Sequence, residues 1–229
     1  YYGLMETKIG GADCVISQTG FTGEKGYEIY VRDAHENAEK MWNAVLEAGE
    51  EFGLMVIAPA HHRRIAAGIL SWGQDLDHET SPFQVNLSYQ VPRNKEADYI
   101  GKEALEKQRA IIDEGNAPFK MKMVGLIFGG KEITDYAPDF WLINDTDGNE
   151  MGFITSPWWS PELNTNIALG WVPWNSSEIG TQLQVMLPDE YADSSGAPVD
   201  GEIVDIPFRE SVNPNKREVQ KAKGLDFAD

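Results

Sequence analysis

The second half of the chain has the pattern of short β-strands separated by turns. Six short segments rich in apolar residues follow one another from residue 121, and turn residues such as Asp147-Gly148 separate them. The predicted strands are 121–128, 140–144, 150–155, 166–172, 181–187 and 201–206. Strands this short and this evenly spaced predict a small antiparallel barrel or sandwich.

The first half has helical spacing over most of its apolar positions. The pattern predicts a strand at 27–31, a helix over the apolar positions 38–46, and helices over 58–70 and 102–113. We expect Asp33 to cap the first helix and Trp42 to pack in the core. A turn at 115–118 ends the last helix, and we place a domain boundary between residues 117 and 118. The fold class is therefore predicted to be α+β.

A glycine-rich loop leads into the predicted strand at 27–31. Gly20, Gly23 and Gly26 recur at every third position, and Glu28 follows directly. A strand beginning there would fix a carboxylate that accepts two parallel hydrogen bonds, as the edge of a pterin requires. From spacing alone, a plain hairpin with a solvated Glu28 is favoured over a ligand site. The spacing is not G-x-G-x-x-G and no P-loop lysine follows, which argues against dinucleotide and triphosphate sites.

Charge excludes several classes of partner. The net charge of the 229 residues is −18, and residues 131–205 hold fourteen acidic residues against one lysine, a net charge of −13. Because such a surface repels phosphates and anionic lipids, we expect no nucleic-acid or membrane partner. No apolar run is long enough to span a membrane, and no signal segment opens the chain. Solubility, as in a salty habitat, is a sufficient explanation for the acidity.

Cysteine and histidine positions indicate neither disulfides nor a metal site. The single Cys14 cannot form an internal disulfide, and we expect a buried thiol in a cytoplasmic protein. The adjacent His61 and His62 cannot share one helix face, and no zinc-binding spacing is present. The neighbouring Arg63 and Arg64 either bind a carboxylate bidentately or present charge to water.

Four segments resemble motifs of one enzyme family, in that family's order. Residues 19–28, TGFTGEKGYE, resemble the T-G-Y-T-G-E-x-G-[FY]-E signature of the aminomethyltransferase family, which comprises the glycine cleavage T-protein and its tetrahydrofolate-dependent relatives. The other three segments are 68–83, 98–105 and 152–170. The chain departs from the motifs at two positions. Ala60 replaces the first arginine of A-R-D-x-[LC]-R-L-E, whose later arginine matches Arg64, and Pro157 replaces the glycine after T-S.

The resemblance implies a domain organisation and a reaction. It implies a partial folate-binding α/β region of ferredoxin-like type at 1–117 and a C-terminal β-barrel at 118–208, with a polar tail at 209–229. Tetrahydrofolate is the implied cofactor, and the implied reaction moves a methyl or aminomethyl group to it. The family's catalytic Asp lies upstream of the signature, and this chain starts at Tyr1, so we expect a missing N-terminal portion and an inactive fragment.

The resemblance also implies roles for particular residues. The implied cofactor-binding residues are Glu28, Phe21, Glu24 and Arg64, and the implied substrate-binding residues are Trp158 and Trp159. Glu28 would fix the pterin, Phe21 would pack against it, and Arg64 would bind a carboxylate. Trp158 and Trp159 are expected on a loop, where they would offer a π face to a cationic methyl donor.

The donor is expected to be a small methylated molecule, such as dimethylsulfoniopropionate, dimethylglycine or a methoxylated aromatic. The acidity of 131–205 would repel an acidic carrier protein, and Ala60 removes a charge that T-proteins keep. Four alternatives stay open. They are an ordinary glycine cleavage aminomethyltransferase, a non-catalytic folate-binding protein of the same fold, the folate-accepting part of a larger flavoprotein, and an acidic interaction module without a ligand.

Overall fold

A computed structural model describes residues 2–93 and 95–208 of the chain. The chain divides between Arg64 and Ile65 into two compact units. The predicted tail at 209–229 lies outside the described residues. The boundary expected between residues 117 and 118 stays a prediction about domains.

The first unit is a three-stranded antiparallel sheet with a helix. Its elements are β1 (Leu4–Ile9), β2 (Ala12–Ser17), β3 (Glu28–Val31), α1 (Ala34–Gly49), a 3-10 turn (Glu50–Phe52) and the start of α2 (His61–Ala66). The strands lie in the order β1-β2-β3. Gly10 and Gly11 both have positive φ, as the tight turn between β1 and β2 requires. A Cβ on Gly10 would lie 2.6 Å from the carbonyl oxygen of Lys40 in α1, so only glycine permits this approach.

Several expectations for the first unit are corrected. Asp33 precedes α1, but it is left-handed, with φ 48°, and its side chain makes no capping hydrogen bond. Trp42 is 48% exposed, so its predicted place in the core is wrong, whereas Met41, Val45 and Leu46 of the same helix are half-buried. Helix α2 covers six residues instead of the predicted 58–70, because Gly68 turns the chain with φ 69°. Cys14 is buried, as expected.

The second unit contains a helix and a closed barrel. Its elements are a 3-10 turn (Ser88–Gln90), α3 (Lys102–Asp113), β4 (Met121–Phe128), β5 (Trp141–Asn144), β6 (Glu150–Ser160), β7 (Thr165–Pro173), a 3-10 turn (Trp174–Ser176), β8 (Gln182–Val185) and β9 (Val199–Val204). The barrel closes in the order β4-β7-β6-β5-β8-β9, and every pair is antiparallel. The predicted antiparallel barrel and the α+β class are confirmed.

Two layers of apolar residues hold the second unit together. The larger cluster draws on all six strands, with Leu126, Ile143 and Leu183 at its centre. Alternate residues of β4 and β7 instead join a second cluster with segment 65–87 and Phe208. Successive residues of β4 and β7 therefore point into two buried layers, which is why these strands are apolar at nearly every position.

Strand β6 runs five residues further than predicted, and its register contains one irregularity. Ile154 pairs with Gly170 while Ser156 pairs with Leu169, so Thr155 is an extra residue in a β-bulge. Pro157 follows within the strand and pairs with Ala168. The expected loop at this position is therefore strand.

No helix among residues 2–93 and 95–208 is long and apolar enough to cross a membrane.

Candidate functional site

The glycine-rich loop joins β2 to β3 and is closed by the register of these strands. Ser17, the last residue of β2, pairs with Glu28, the first residue of β3. The loop between them contains Gly23 with φ 72°, a conformation that other residues seldom adopt. The strand pairing therefore fixes the backbone of Glu28 at the mouth of the loop, as the sequence predicts.

Two hydroxyl groups orient the carboxylate of Glu28. The hydroxyls of Thr19 and Tyr30 both donate hydrogen bonds to Oε2, the Tyr30 bond at 3.1 Å. Oε1 accepts no hydrogen bond from the part of the chain that the structure describes, and Glu28 is exposed. One oxygen is thus held and the other is open to a donor from outside the chain. A ligand that uses both oxygens would share Oε2 with these hydroxyls or replace one of them.

The charge of Glu28 affects its neighbour. The hydrogen bond to the Glu28 carboxylate and the negative charge of that group raise the pKa of the Tyr30 hydroxyl above its ordinary value. Tyr30 therefore stays a hydrogen-bond donor well into alkaline conditions. The two side chains form a polar pair on the exposed strand β3.

The other loop residues differ in their accessibility. Phe21 is 48% exposed, so its ring offers an apolar surface beside the loop. Glu24 is half-buried, and its backbone N–H donates to the Thr22 hydroxyl at 3.4 Å. The ligand contacts expected for Phe21 and Glu24 stay predictions.

Arg64 lies inside the protein. Its exposed fraction is 1%, and its Nε lies 3.4 Å from Nδ1 of His61, to which it donates. The alternative in which Arg64 presents its charge to water is therefore wrong, whereas Arg63 is exposed. A ligand carboxylate would meet this guanidinium in a buried environment, where a charged hydrogen bond is strong. That role stays a prediction.

Trp158 and Trp159 lie in strand β6, so the expectation that they sit on a loop is wrong. Strand β6 continues beyond the bulge at Thr155, and Trp158 pairs with Ile167 of β7. Trp158 makes an edge-to-face contact with Tyr136, with ring centroids 5.7 Å apart. Trp159 donates its backbone N–H to the Ile133 carbonyl at 2.8 Å. Both side chains are half-buried, and their predicted contact with a donor remains untested.

A buried carboxylate in the second unit was not singled out from the sequence. Asp75 is 2% exposed and accepts hydrogen bonds from the Ser71 N–H at 2.7 Å and from the hydroxyls of Thr155 and Ser156, both at 2.6 Å. Its backbone carbonyl accepts a bond from Trp171 Nε1 at 3.1 Å. Asp75 and Thr155 are eighty positions apart in the sequence. The one sequence signal that could have indicated their contact is that both lie in motifs of the same family.

The structure brings the expected residues together only in part. The loop residues and Glu28 share the first unit, and the strand tryptophans lie in the second. No group of three or more histidine, cysteine, aspartate or glutamate side chains within the described ranges could hold a metal ion. The arrangement around Glu28 suits hydrogen bonding to a neutral or cationic N–H donor.

Known proteins resemble most of this chain. The family model described as "GCVT N-terminal domain" matches residues 1–95, and the one described as "Glycine cleavage T-protein C-terminal barrel domain" matches residues 119–208. An aminomethyltransferase of Geobacillus sp. (strain WCH70) is 34% identical over 182 residues, which are 79% of this chain and 47% of that protein. The aminomethyltransferase of Caldanaerobacter subterraneus subsp. tengcongensis is 32% identical over 189 residues, 82% of this chain and 47% of the relative.

A solved structure has the same fold. The glycine cleavage system aminomethyltransferase T from Bartonella henselae superposes with a TM-score of 0.65 at 24% identity, over 86% of this chain and 50% of that chain. The chain spans about half the length of the curated relatives that it matches. Two models of one family match the α/β region and then the barrel, in that order. The chain therefore belongs to the aminomethyltransferase family, that of the glycine cleavage T-protein.

Proposed function

We propose that this chain provides the pterin-binding side of a tetrahydrofolate-dependent one-carbon transferase. The observation that carries the proposal is the carboxylate of Glu28, which two hydroxyls hold through one oxygen while the other oxygen is open. An aminopyrimidinone edge presents two adjacent N–H donors, and an ionised carboxylate is the acceptor that matches them. The family membership supports the same ligand.

In this proposal, the residues of the chain bind and orient, and tetrahydrofolate supplies the amine that takes up the one-carbon unit. Glu28 fixes the rotation of the pterin ring in its plane, and the exposed ring of Phe21 covers one face of it. Arg64 holds a carboxylate of the ligand through its buried guanidinium. Fixing the acceptor in this way lowers the entropic part of the barrier without a strong acid or base.

We further propose that the group transferred is an aminomethyl group, because the curated relatives at 32–34% identity are aminomethyltransferases. A small methylated donor is the second candidate. Two observations favour it: the net charge of −13 over residues 131–205, which opposes docking of an acidic carrier protein, and Ala60 in place of the motif arginine. The strand position of Trp158 weakens the case for a cation-binding aromatic wall.

The test of the ligand uses the 229-residue chain and two matched variants. Titration calorimetry with tetrahydrofolate should give weaker binding for Glu28→Gln, by ~1.5–3 kcal/mol or about 10- to 150-fold, because a charged hydrogen-bond acceptor is lost. Glu39→Gln is the control, since Glu39 is an exposed residue of α1 away from the loop. Equal binding by parent and Glu28→Gln, or no binding by the parent, would contradict the proposal.

The test of the donor needs a chain extended by the part of the Geobacillus relative that this chain does not match. Transfer to tetrahydrofolate would be compared between an aminomethyl-lipoyl carrier protein and dimethylsulfoniopropionate, dimethylglycine and methoxylated aromatics. Activity with the carrier alone supports the aminomethyl donor, and activity with a free compound supports the second candidate. Tetrahydrofolate binding without any turnover would instead favour a non-catalytic folate-binding protein.

A further inference from the structure

Lys122 lies near one end of strand β4, on the side of the strand that faces the larger apolar cluster. Val124 and Leu126 of β4 belong to that cluster, whereas Met123 belongs to the second. Because side chains alternate along a strand, Lys122 leaves β4 on the same side as Val124. Its side chain is half-buried. The amine is therefore held at an end of the barrel, where water reaches it only in part.

Two aromatic rings lie over the amino group. Nζ of Lys122 is 5.3 Å from the ring centroid of Trp174, and the ring of Phe119 lies 6.1 Å from that of Trp174. The Trp174 N–H donates to the Lys120 carbonyl at 2.9 Å, and the Trp174 carbonyl accepts from the Ser177 hydroxyl at 2.8 Å. The backbone next to β4 thus holds the indole in place above the amine.

No acidic residue compensates for this burial. Within residues 2–93 and 95–208, Lys122 forms neither a hydrogen bond nor an ion pair. Strand β7 and the turn Trp174–Ser176 contain no acidic residue. The acidic residues of β9, Asp200 and Glu202, lie beside the other end of β4, where Glu202 pairs with Ile127. Burial therefore lowers the pKa of the Lys122 amino group below its ordinary value.

The charge of the surrounding sequence differs from that of the whole chain. Residues 115–131 contain three lysines and no acidic residue, although the net charge of the chain is −18. An anionic reagent that approaches Lys122 along this stretch therefore meets positive charge instead of the repulsion expected elsewhere.

We propose that Lys122 is an acylation site, at which the amino group attacks the carbonyl carbon of a small anionic acyl donor, an acyl phosphate. The C–N bond of an amide forms, and the C–O bond to phosphate breaks. Phosphate leaves with the electron pair of that bond, and one proton of the amine passes to water. A desolvated lysine is a stronger nucleophile at neutral pH, since more of it is unprotonated. The neutral amide also suits the half-buried position better than a charge does.

The experiment incubates the 229-residue chain with acetyl phosphate at several pH values, from neutrality to the ordinary pKa of lysine. Tandem mass spectrometry follows the acetylation of each lysine. Lys120 is the internal control, since it is exposed and shares the local charge of Lys122. We expect Lys122 to react at least about threefold faster than Lys120 at neutral pH, because more of its amine is unprotonated. The ratio should fall as the pH rises.

Two variants test the role of the indole. Trp174→Ala opens the amine to water, so the pH at which Lys122 reaches half of its maximal rate should move upward. Trp174→Phe keeps an aromatic face over the amine and should leave that pH unchanged. Equal rates for Lys120 and Lys122 in the parent chain would overturn the proposal, as would a pH profile that Trp174→Ala leaves unaltered. The comparison within the parent decides the matter even where Trp174→Ala fails to fold.

Discussion

Replacing Asp75 by asparagine tests the buried carboxylate of the second unit while keeping its shape. The Oδ1 of Asp75 accepts from the hydroxyls of Thr155 and Ser156, and Oδ2 accepts from the Ser71 N–H. An asparagine oxygen facing the hydroxyls preserves two of these three bonds. Its NH₂ group then faces the Ser71 N–H, so two donors meet and one buried N–H loses its acceptor.

The magnitude follows from that single loss. A hydrogen bond to a charged group contributes ~1.5–3 kcal/mol to stability. When the acceptor is lost, the buried Ser71 N–H is left unsatisfied, and that costs a similar amount. Burying a neutral amide costs less than burying a carboxylate, which offsets a part of the loss. We expect Asp75→Asn to lower the free energy of unfolding by about 2 kcal/mol, which corresponds to about 4–8 °C in Tm for a unit of this size.

Urea unfolding followed by tryptophan fluorescence is a suitable assay, because six of the seven tryptophans lie in the second unit. The midpoint should fall while the slope stays constant. Thr155→Val, which removes one hydroxyl donor, should cost about 1 kcal/mol. Asp200→Asn on the exposed side of β9 is the matched control. A midpoint for Asp75→Asn equal to that of Asp200→Asn would refute the structural role of the carboxylate.

Two further predictions concern the loop and the barrel core. Glu28→Gln should lower the pKa of Tyr30 towards its ordinary value, measured as phenolate absorbance against a Tyr30→Phe blank. Because the folded pKa is raised, the stabilising contribution of Tyr30 is present below pH ~10 and is lost as the pH rises through the raised value. Ile143→Ala, at a residue with 0% exposure, should destabilise the barrel by ~2–5 kcal/mol in the same urea assay, and a change below 1 kcal/mol would contradict its central position.

The barrel could be predicted because its signal is local. A short run of apolar residues predicted β4 at Met121–Phe128, and helical spacing predicted α3 at Lys102–Asp113, both as the structure has them. The number and spacing of the short strands predicted a barrel or a sandwich, and closure came only with the pairings β4-β7, β5-β8 and β4-β9, which join strands that are not consecutive in sequence. No long-range information was needed for β4 and α3 themselves.

The first unit was predicted less well because its signals depend on surfaces outside each segment. Helical spacing around Trp42 indicated a core, yet the part of the chain that the structure describes leaves that ring 48% exposed. Strands β1 and β2 were not recognised, since charged residues interrupt LMETKI and ADCVIS. The candidate site, too, could be predicted only in part. The motif located Glu28, but the hydroxyls of Thr19 and Tyr30 that orient its carboxylate depend on the pairing of β2 with β3.

The bulge in β6 explains how one carboxylate oxygen receives two hydroxyls from adjacent residues. In a regular strand, the side chains of Thr155 and Ser156 would point to opposite sides of the sheet. The extra residue between the pairs Ile154–Gly170 and Ser156–Leu169 cancels that alternation, so both hydroxyls reach Asp75. Both hydrogen bonds to the Asp75 carboxylate therefore depend on the extra residue in β6. Deleting Thr155 would restore the regular alternation of side chains, and only the Ser156 hydroxyl would then remain to donate to Asp75.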